Sequence, residues 1–233
     1  MLGGETVIPE WLDLSAVVVG ALAGVLVAQN RRLDLIGYVG MCLICALGGG
    51  LLRDGIMQVG DVYALKSEWP IPLCVATALF GFAFPHVVTS YPNLYEWVDM
   101  ISVALFVVAG TNKAMAYHLH ASAVVLMGTI TGVGGGMLRD VFLGEVPRVF
   151  RRSNLYALCA VAGSVCYCIC DGICQLGPTT SSVATILVVV ALRRLSLRFD
   201  ILSPTHNELE QTVTQVRERI TKRDSHDGLP KER

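Results

Sequence analysis

Two stretches decide the fold: Gly48–Asp54 reads GGGLLRD, and Gly134–Asp140 reads GGGMLRD. They lie 86 residues apart, and two WxD strings, at Trp11–Asp13 and Trp97–Asp99, are separated by the same offset. Across 50 aligned residues the chain matches itself at 16 positions without a gap. Chance does not place two long strings and two short ones in one register, so the sequence contains an internal repeat.

The composition places this repeat in a membrane. Of the 233 residues, 53% are hydrophobic and 16% are charged, whereas a soluble domain usually carries about 25% charge. This balance excludes an intrinsically disordered chain and a soluble multidomain enzyme. The formal net charge of −1 gives no basic footprint for a nucleic acid, so a nucleic-acid partner is also excluded. The predicted class is an integral α-helical membrane protein.

Long uncharged runs predict the membrane-spanning helices, because a span needs about 20 mostly apolar residues. Seven are predicted, near 11–29, 35–53, 70–88, 97–116, 120–142, 154–174 and 178–196. Each repeat holds three helices, an odd number, so the second copy must cross the membrane in the opposite direction. The predicted fold is therefore all-α, with two inverted three-helix repeats and one extra helix, an architecture typical of proteins that move solutes.

The remaining segments complete the predicted organisation. We expect an outer N-terminal segment at 1–10, the repeats at 11–96 and 97–177, the seventh helix at 178–200, and a cytoplasmic tail with a short amphipathic helix at 201–233. Basic residues in loops mark the cytoplasmic side. They predict an outside N-terminus and a cytoplasmic C-terminus, because the inner loops and end would then hold Arg31, Arg32, Arg148, Arg151, Arg152, Arg193, Arg194 and Arg198.

The triple glycines are the first candidate functional residues. Each glycine costs about 1 kcal/mol relative to alanine in a helix, so the second and fifth helices are expected to kink or break there. Backbone groups freed in lipid are tolerated only beside protein or a water-filled cavity. The candidate ion-pathway residues are therefore Gly48, Gly49, Gly50, Gly134, Gly135 and Gly136. The alternative is close packing of helices, which small residues also favour.

Charged residues follow each glycine run by three positions, as Arg53 and Asp54 and again as Arg139 and Asp140. Ionised groups at such a depth usually face an interior or a water cavity and find partners. Because adjacent residues of a helix diverge, each is expected to meet a group of the other repeat. The functional interpretation is a charged ring around an aqueous path; the alternative is interfacial anchoring.

Lys113 interrupts the fourth helix and has no charged counterpart in the first repeat, where Val27 takes its place. Two interpretations stay open: the side chain projects into a pore, or it reaches the outer interface. Asp13 and Asp99 are interpreted as capping residues at helix starts.

No enzyme chemistry is predicted, because no nucleophile and base pair or metal-ligand spacing is present. We therefore expect no catalytic residues, no metal site and no cofactor. Cys166, Cys170 and Cys174 fall on one helical face, where packing is the favoured interpretation over metal binding.

The strings WLDLSAVVVGALAG, GGGLLRD, WVDMISVALFVVAGTNKA, GTITGVGGGMLRDVFLGEVP and LYALCAVAG together resemble one family. The chain is similar to the prokaryotic trimeric intracellular cation (TRIC) channels, whose relatives are also labelled glycine transporter domain proteins. The resemblance covers about residues 11–196 and implies a homotrimer with a pore in each subunit, conducting mainly potassium. It also implies that the helices are kinked at Gly48–Gly50 and Gly134–Gly136.

Lys113 matches a basic residue that influences gating in animal members of that family. Those members carry Lys-Glu-Val, whereas this chain reads Lys113-Ala114-Met115, so the lipid and calcium control of the animal channels is not expected here.

The expected function is therefore a potassium-conducting channel in the plasma membrane, with potassium or another monovalent cation, membrane lipid and further copies of itself as partners. The alternative is a secondary transporter of a small amino acid such as glycine. A membrane protein without transport activity explains two duplicated glycine runs poorly.

Overall fold

The computed structural model describes residues 10–85, 93–151 and 155–199. Throughout these ranges the regular structure is helical, which confirms the all-α fold class. Within them, seven longer helices form the body: α1 (Glu10–Asn30), α2 (Leu35–Met57), α3 (Pro70–Ala83), α4 (Leu94–Ala116), α5 (Ala121–Phe142), α6 (Tyr156–Tyr167) and α7 (Pro178–Arg198). A four-residue helix, Tyr63–Lys66, lies in the loop between α2 and α3. The predicted tail at 201–233 and all but the last residue of the predicted N-terminal segment lie outside the described residues.

Six of these helices are long and apolar enough to cross a membrane, if α6 is counted with the π-helix Cys168–Ile173 that extends it. The remaining helix, α3, has 14 residues and ends five residues earlier than the sequence predicts. Pro85 explains the early end, because a residue that precedes proline is disfavoured in the α conformation. Phe84 accordingly leaves the helix, with φ −122° and ψ 62°.

Short polar segments separate the long helices. Asp34 begins α2 by accepting a hydrogen bond from the backbone N–H of Gly37 at 2.8 Å, and Gln58 ends it in the left-handed conformation. Outside the bundle, apolar side chains such as Phe80, Leu126 and Leu187 are exposed, as expected for helices that are surrounded by lipid.

The helix contacts follow the internal repeat. Within the first repeat α1, α2 and α3 all touch one another, and within the second α4, α5 and α6 do the same. The two repeats meet through α1 against α4 and α2 against α5, while α7 packs on α4 and α6. The seventh helix therefore stands outside the symmetry, as the sequence predicts.

Helix α4 shows that the repeats are inverted. Arg139 of α5 contacts Asp99 near the start of α4, whereas Asp54 of α2 contacts Lys113 near its end. The C-terminal ends of α2 and α5 therefore lie at opposite ends of α4, as an inverted repeat requires.

Candidate functional site

Both glycine runs lie inside continuous helices, α2 and α5. Neither helix breaks at its glycines, so the predicted break is wrong, whereas the kink expected at the same glycines stays a prediction. Tertiary contact explains why glycine is needed there without a break. The placement of the same glycines beside an ion pathway stays a prediction.

Gly49 and Gly135 bring α2 and α5 into backbone contact. A Cβ on Gly49 would overlap the carbonyl oxygen of Thr131, and a Cβ on Gly135 would lie 2.5 Å from the carbonyl oxygen of Cys45. The offset of 86 relates Gly49 to Gly135 and Cys45 to Thr131. The two contacts are therefore the same contact made twice, and they favour the close-packing interpretation for these glycines.

The other glycines of the two runs differ in role. A Cβ on Gly48 or Gly134 would also meet the opposite helix, at Leu138 and at Gly49 respectively. Gly50 faces open space, because the nearest atom to its added Cβ is an Arg53 nitrogen 3.9 Å away. Gly50 and its counterpart Gly136 each line a small cavity.

The two cavities are related by the repeat. The first, here named the Arg53 cavity, is lined by Asp13, Val17, Ala46, Leu47, Gly50, Arg53, Asp54, Tyr63, Ala64, Phe106 and Ala109. The second, the Arg139 cavity, is lined by Ala23, Cys45, Asp99, Ser102, Val103, Phe106, Gly132, Gly135, Gly136, Arg139 and Tyr156. Each has room for only about one or two water molecules.

Asp54 organises the charges at the Arg53 cavity. Its Oδ1 accepts hydrogen bonds from Arg53 Nε at 2.6 Å and from Lys113 Nζ at 2.7 Å, and its Oδ2 accepts one from the backbone N–H of Tyr63 at 3.0 Å. Arg53 and Asp54 are both buried. Asp54 meets the other repeat at Lys113, as expected. The arginines differ from the expectation, because Arg53 pairs with the adjacent Asp54 and Arg139 pairs with residues of its own repeat.

Lys113 is held at the end of α4. Besides Asp54, its Nζ donates a hydrogen bond to the backbone carbonyl of Asp61 at 2.8 Å. The side chain is 18% exposed and is not among the residues that line the Arg53 cavity. Its predicted placement in a pore or at the outer interface stays a prediction. Lys113 ties the end of α4 to α2 and to the loop that follows α2.

That loop carries its own ion pair, between Lys66 and Asp61. The hydrogen bond from Lys66 lowers the pKa of the Asp61 carboxyl and raises the pKa of the Lys66 amine. Both side chains are exposed, so the pair contributes little to stability. The backbone carbonyl of the same Asp61 accepts the hydrogen bond from Lys113.

Arg139 organises the charges at the Arg139 cavity. Its Nε donates to Asp140 Oδ1 at 2.9 Å, and its Nη1 donates to Asp99 Oδ1 at 3.3 Å. The second oxygen of Asp140 accepts the backbone N–H of Arg148 at 2.9 Å. The guanidinium groups of Arg139 and Arg148 both lie over the ring of Tyr95, 5.8 and 4.8 Å from its centroid.

Asp99 was interpreted from the sequence as a capping residue, and this interpretation is wrong. α4 begins at Leu94, five residues earlier, so Asp99 lies inside the helix, where it is buried and paired with Arg139. Its counterpart Asp13 lines the Arg53 cavity. The sequence signal that Asp13 and Asp99 belong to the cavities was the duplicated WxD string, because it repeats in register with the Arg-Asp pairs.

Three aromatic residues at the cavities had no part in the sequence prediction: Tyr63, Phe106 and Tyr156. Phe106 lines both cavities, and its repeat counterpart is Gly20. A bulky residue aligned with a glycine marks a point where the two repeats differ. This mismatch is the sequence signal that could have identified Phe106.

Two cysteines lie close together at the end of α6 and in the π-helix that extends it. Cys166 and Cys170 approach to 3.9 Å between their sulfur atoms. Within residues 10–85, 93–151 and 155–199, no group of three or more His, Cys, Asp or Glu residues is placed to hold a metal ion.

A family model described as glycine transporter matches the chain twice, at residues 10–86 and 96–172. The two matches are separated by the same 86 residues as the repeat. The UPF0126 inner membrane protein YadS of Escherichia coli (strain K12) is 30% identical over 199 residues, which is 84% of this chain and 94% of that protein. A UPF0126 membrane protein of Deinococcus radiodurans is 35% identical over 156 residues, covering 66% of this chain and 73% of that protein.

Solved structures give the same assignment. A TRIC cation channel, solved to explain conductance, superposes with a TM-score of 0.75 and 25% identity over 85% of this chain and 97% of its own. The TRIC orthologue from Rhodobacter sphaeroides also gives a TM-score of 0.75 and 25% identity, over 82% of this chain and 98% of its own. The chain therefore belongs to the glycine transporter family of membrane proteins, and its fold is that of the TRIC cation channels.

Proposed function

We propose that this protein is a monovalent cation channel that conducts mainly potassium through a pore in each subunit of a homotrimer. The observation that carries the proposal is the pair of repeat-related cavities, each lined by an arginine and at least one carboxylate, on a fold shared with TRIC cation channels. Oxygen-lined cavities suit cations, which exchange hydration for protein oxygens as they move.

The proposed path runs from the Arg53 cavity, past the crossing of α2 and α5, to the Arg139 cavity. Gly50, Gly135 and Gly136 line it, and Gly48, Gly49, Gly134 and again Gly135 hold the two helices together beside it. Each cavity has room for only about one or two waters. Conduction therefore requires the cavities to widen and join.

The charged residues flank this path in compensated clusters. Arg53, Asp54 and Lys113 stand at one end, and Arg139, Asp140 and Asp99 stand at the other. Pairing allows ionised side chains to remain buried beside a membrane. In this proposal Lys113 influences conduction by its charge and by its hold on Asp54.

Potassium flux tests the proposal. Purified protein in liposomes should release potassium down its gradient, and a radiolabelled glycine gradient should stay intact in the same vesicles. Leu187→Ala, on the exposed face of α7, is the matched control and should behave as the unmodified protein. Glycine uptake without potassium flux would overturn the channel.

The alternative, a secondary transporter of a small amino acid such as glycine, is favoured by the description of the family model. Ion-coupled transporters often hold a carboxylate near the membrane midplane. Among the described residues, the carboxylates of α1 to α7 lie near helix ends. This placement favours the channel.

The homotrimer is proposed from the likeness to the trimeric channel of Rhodobacter sphaeroides. Native mass measurement in mild detergent should give three copies of the chain. A stable monomer or dimer that conducts potassium would contradict the proposed trimer but not the proposed channel.

We also propose that this multi-pass protein lies in the plasma membrane, with its N-terminus outside and its C-terminus in the cytoplasm. The relative in Escherichia coli is an inner membrane protein, and the basic loops follow the cytoplasmic bias. A C-terminal green fluorescent protein should fluoresce, and a C-terminal alkaline phosphatase should be inactive. The reverse pattern would invert the orientation.

A further inference from the structure

Phe106 lies at the centre of the pseudo-symmetric body. The offset of 86 relates it to Gly20, and its ring packs directly on that glycine: a Cβ on Gly20 would lie 3.0 Å from Phe106 Cε2. Two residues exchanged by a two-fold operation touch only close to the axis. The ring of Phe106 is therefore next to the axis that relates the two repeats.

A second contact locates the same axis. Gly49 and Gly135 are also exchanged by the repeat, and a Cβ on Gly49 would lie 3.3 Å from the backbone nitrogen of Gly135. Because the axis of an inverted repeat runs in the membrane plane, both contacts lie near the middle of the membrane.

The position of Phe106 along α4 agrees with this. Asp99 and Lys113, which belong to the two charge clusters, are each seven residues from Phe106. At 1.5 Å per residue, the ring stands about 10 Å along the helix from either. An apolar ring therefore divides the distance between the two charged ends of α4.

The cavities meet at this ring. Among the residues that the structure describes, Phe106 is the one that lines both the Arg53 cavity and the Arg139 cavity. Its side chain is buried, so it borders both cavities from inside the protein.

We propose that the ring of Phe106 is the barrier to ion passage between the two cavities. This inference rests on the proposed channel, because it assigns the residue that limits conduction along the proposed path. A narrow apolar constriction excludes water, and an ion cannot cross it without losing its hydration. The compensated charged clusters lie at the two ends of the path, whereas Phe106 controls whether the ends communicate.

The asymmetry of the pair has a steric reason. A Cβ on Gly20 would lie 2.9 Å from the backbone Cα of Ala46, so Gly20 has no room for a side chain. One aromatic ring occupies the space at the axis that two symmetric side chains could not share. The barrier is therefore a property of one residue, and removing that residue should join the cavities.

The experiment measures potassium flux per trimer for the unmodified protein, Phe106→Ala and Leu105→Ala. Leu105 is the matched control because it precedes Phe106 on α4, is equally buried and lines neither cavity. We expect Phe106→Ala to raise the flux about tenfold, as loss of an apolar constriction would, and Leu105→Ala to leave it unchanged. Phe106→Leu, which keeps an apolar side chain, should give an intermediate flux and serves if the alanine variant does not assemble.

The outcomes separate the two proposals. Equal flux from the unmodified protein and the Phe106 variants would overturn the barrier while leaving the channel intact, and so would an equal rise in Phe106→Ala and Leu105→Ala. No potassium flux from any assembled variant would overturn the proposed function and the barrier together. Flux that appears only in the Phe106 variants would support both.

Discussion

The Arg53 and Arg139 clusters are two copies of one arrangement, completed differently. In both, an Arg side chain donates to the adjacent Asp, and a backbone N–H from the following loop donates to the other carboxylate oxygen. The second cation differs. It is Lys113, which donates to Asp54, at one end, and Arg148, which lies 4.0 Å from Asp99, at the other.

The difference shows how a duplicated sequence produces two unequal ends. The Arg-Asp pairs are inherited with the repeat, whereas Lys113 and Arg148 have the apolar counterparts Val27 and Val62. The second cation at each end is therefore not part of the repeat. If a change of charge affects conduction more at one cluster than at the other, the difference between Lys113 and Arg148 is the physical reason.

The largest expected effect, on thermal stability and trimer recovery, comes from substitutions at the crossing of α2 and α5, the helices that carry Arg53 and Arg139. Gly49→Ala and Gly135→Ala each force a Cβ against a carbonyl oxygen of the opposite helix. Overpacking of this kind costs about 3 kcal/mol, so both variants should lose thermal stability and trimer recovery to a similar degree. Thermal unfolding in detergent, monitored by size-exclusion chromatography, measures this.

Gly50→Ala is the control for the crossing, since its added Cβ meets open space. It should leave assembly intact and gain up to about 1 kcal/mol of helix propensity. If the glycines broke the helices, Gly49→Leu and Gly135→Leu would reduce potassium flux without preventing assembly of the trimer. The observed contact predicts lost assembly instead, and well-assembled leucine variants would contradict the packing interpretation.

The next effect separates the clusters. Asp54→Asn leaves two cations, Arg53 and Lys113, without their shared carboxylate, whereas Asp140→Asn leaves Arg139 paired with Asp99. Loss of one partner from a buried pair costs about 3–5 kcal/mol. We therefore expect Asp54→Asn to lower the unfolding temperature more than Asp140→Asn does.

The same thermal scan of both asparagine variants checks this order. Equal losses would show that the second cation at each end contributes nothing to the difference between the clusters. Asp54→Asn combined with Lys113→Met should recover part of the lost stability, because the double change removes one of the two unpaired cations.

A smaller effect is expected from the second cations themselves. Lys113→Met removes a positive charge beside the proposed path and leaves the Arg53–Asp54 pair in place. Single-channel potassium conductance should rise by about twofold, because like charge no longer opposes the cation. Arg148→Met should change conductance less, since the Arg148 side chain is 40% exposed and solvent screens it.

A larger change in conductance from Arg148→Met than from Lys113→Met would contradict this prediction. High salt provides a further check. Screening by salt should reduce the effect of Lys113→Met on conductance only if solvent reaches the charge of Lys113.

The smallest effect is expected from the tail. Truncation after Ser203 removes residues outside the repeat and leaves both clusters complete. Single-channel conductance should be unchanged, although the yield of assembled protein can fall. An altered conductance in a truncated protein that is still trimeric would place the tail in the conduction mechanism.

Much of the fold could be predicted from the sequence because membrane insertion depends on local composition. The starts of α2, α3 and α7 and the end of α5 match the predicted spans residue for residue. Where the prediction missed, a local steric rule was overlooked, as at Pro85 after α3. The exact repeat boundaries at 11–96 and 97–177 stay predictions.

The candidate site was only partly predictable. Arg53, Asp54, Arg139 and Asp140 were identified because the repeat duplicates them, and the structure brings each pair beside a cavity. The contact of Asp54 with Lys113 joins residues 59 positions apart. No spacing rule reports such a contact, because it depends on how α2 and α4 are rotated and packed.

The sequence by itself determined the class, the helices and the inverted repeat, because hydrophobic length and self-similarity are properties of the chain alone. Only the tertiary structure decided that the glycine runs join helices without breaking them, that Asp99 pairs with Arg139, and that Phe106 lines both cavities. The physical reason is that glycine permits both a break and a close approach. Which one occurs depends on whether another backbone lies against it, and here the opposite helix does.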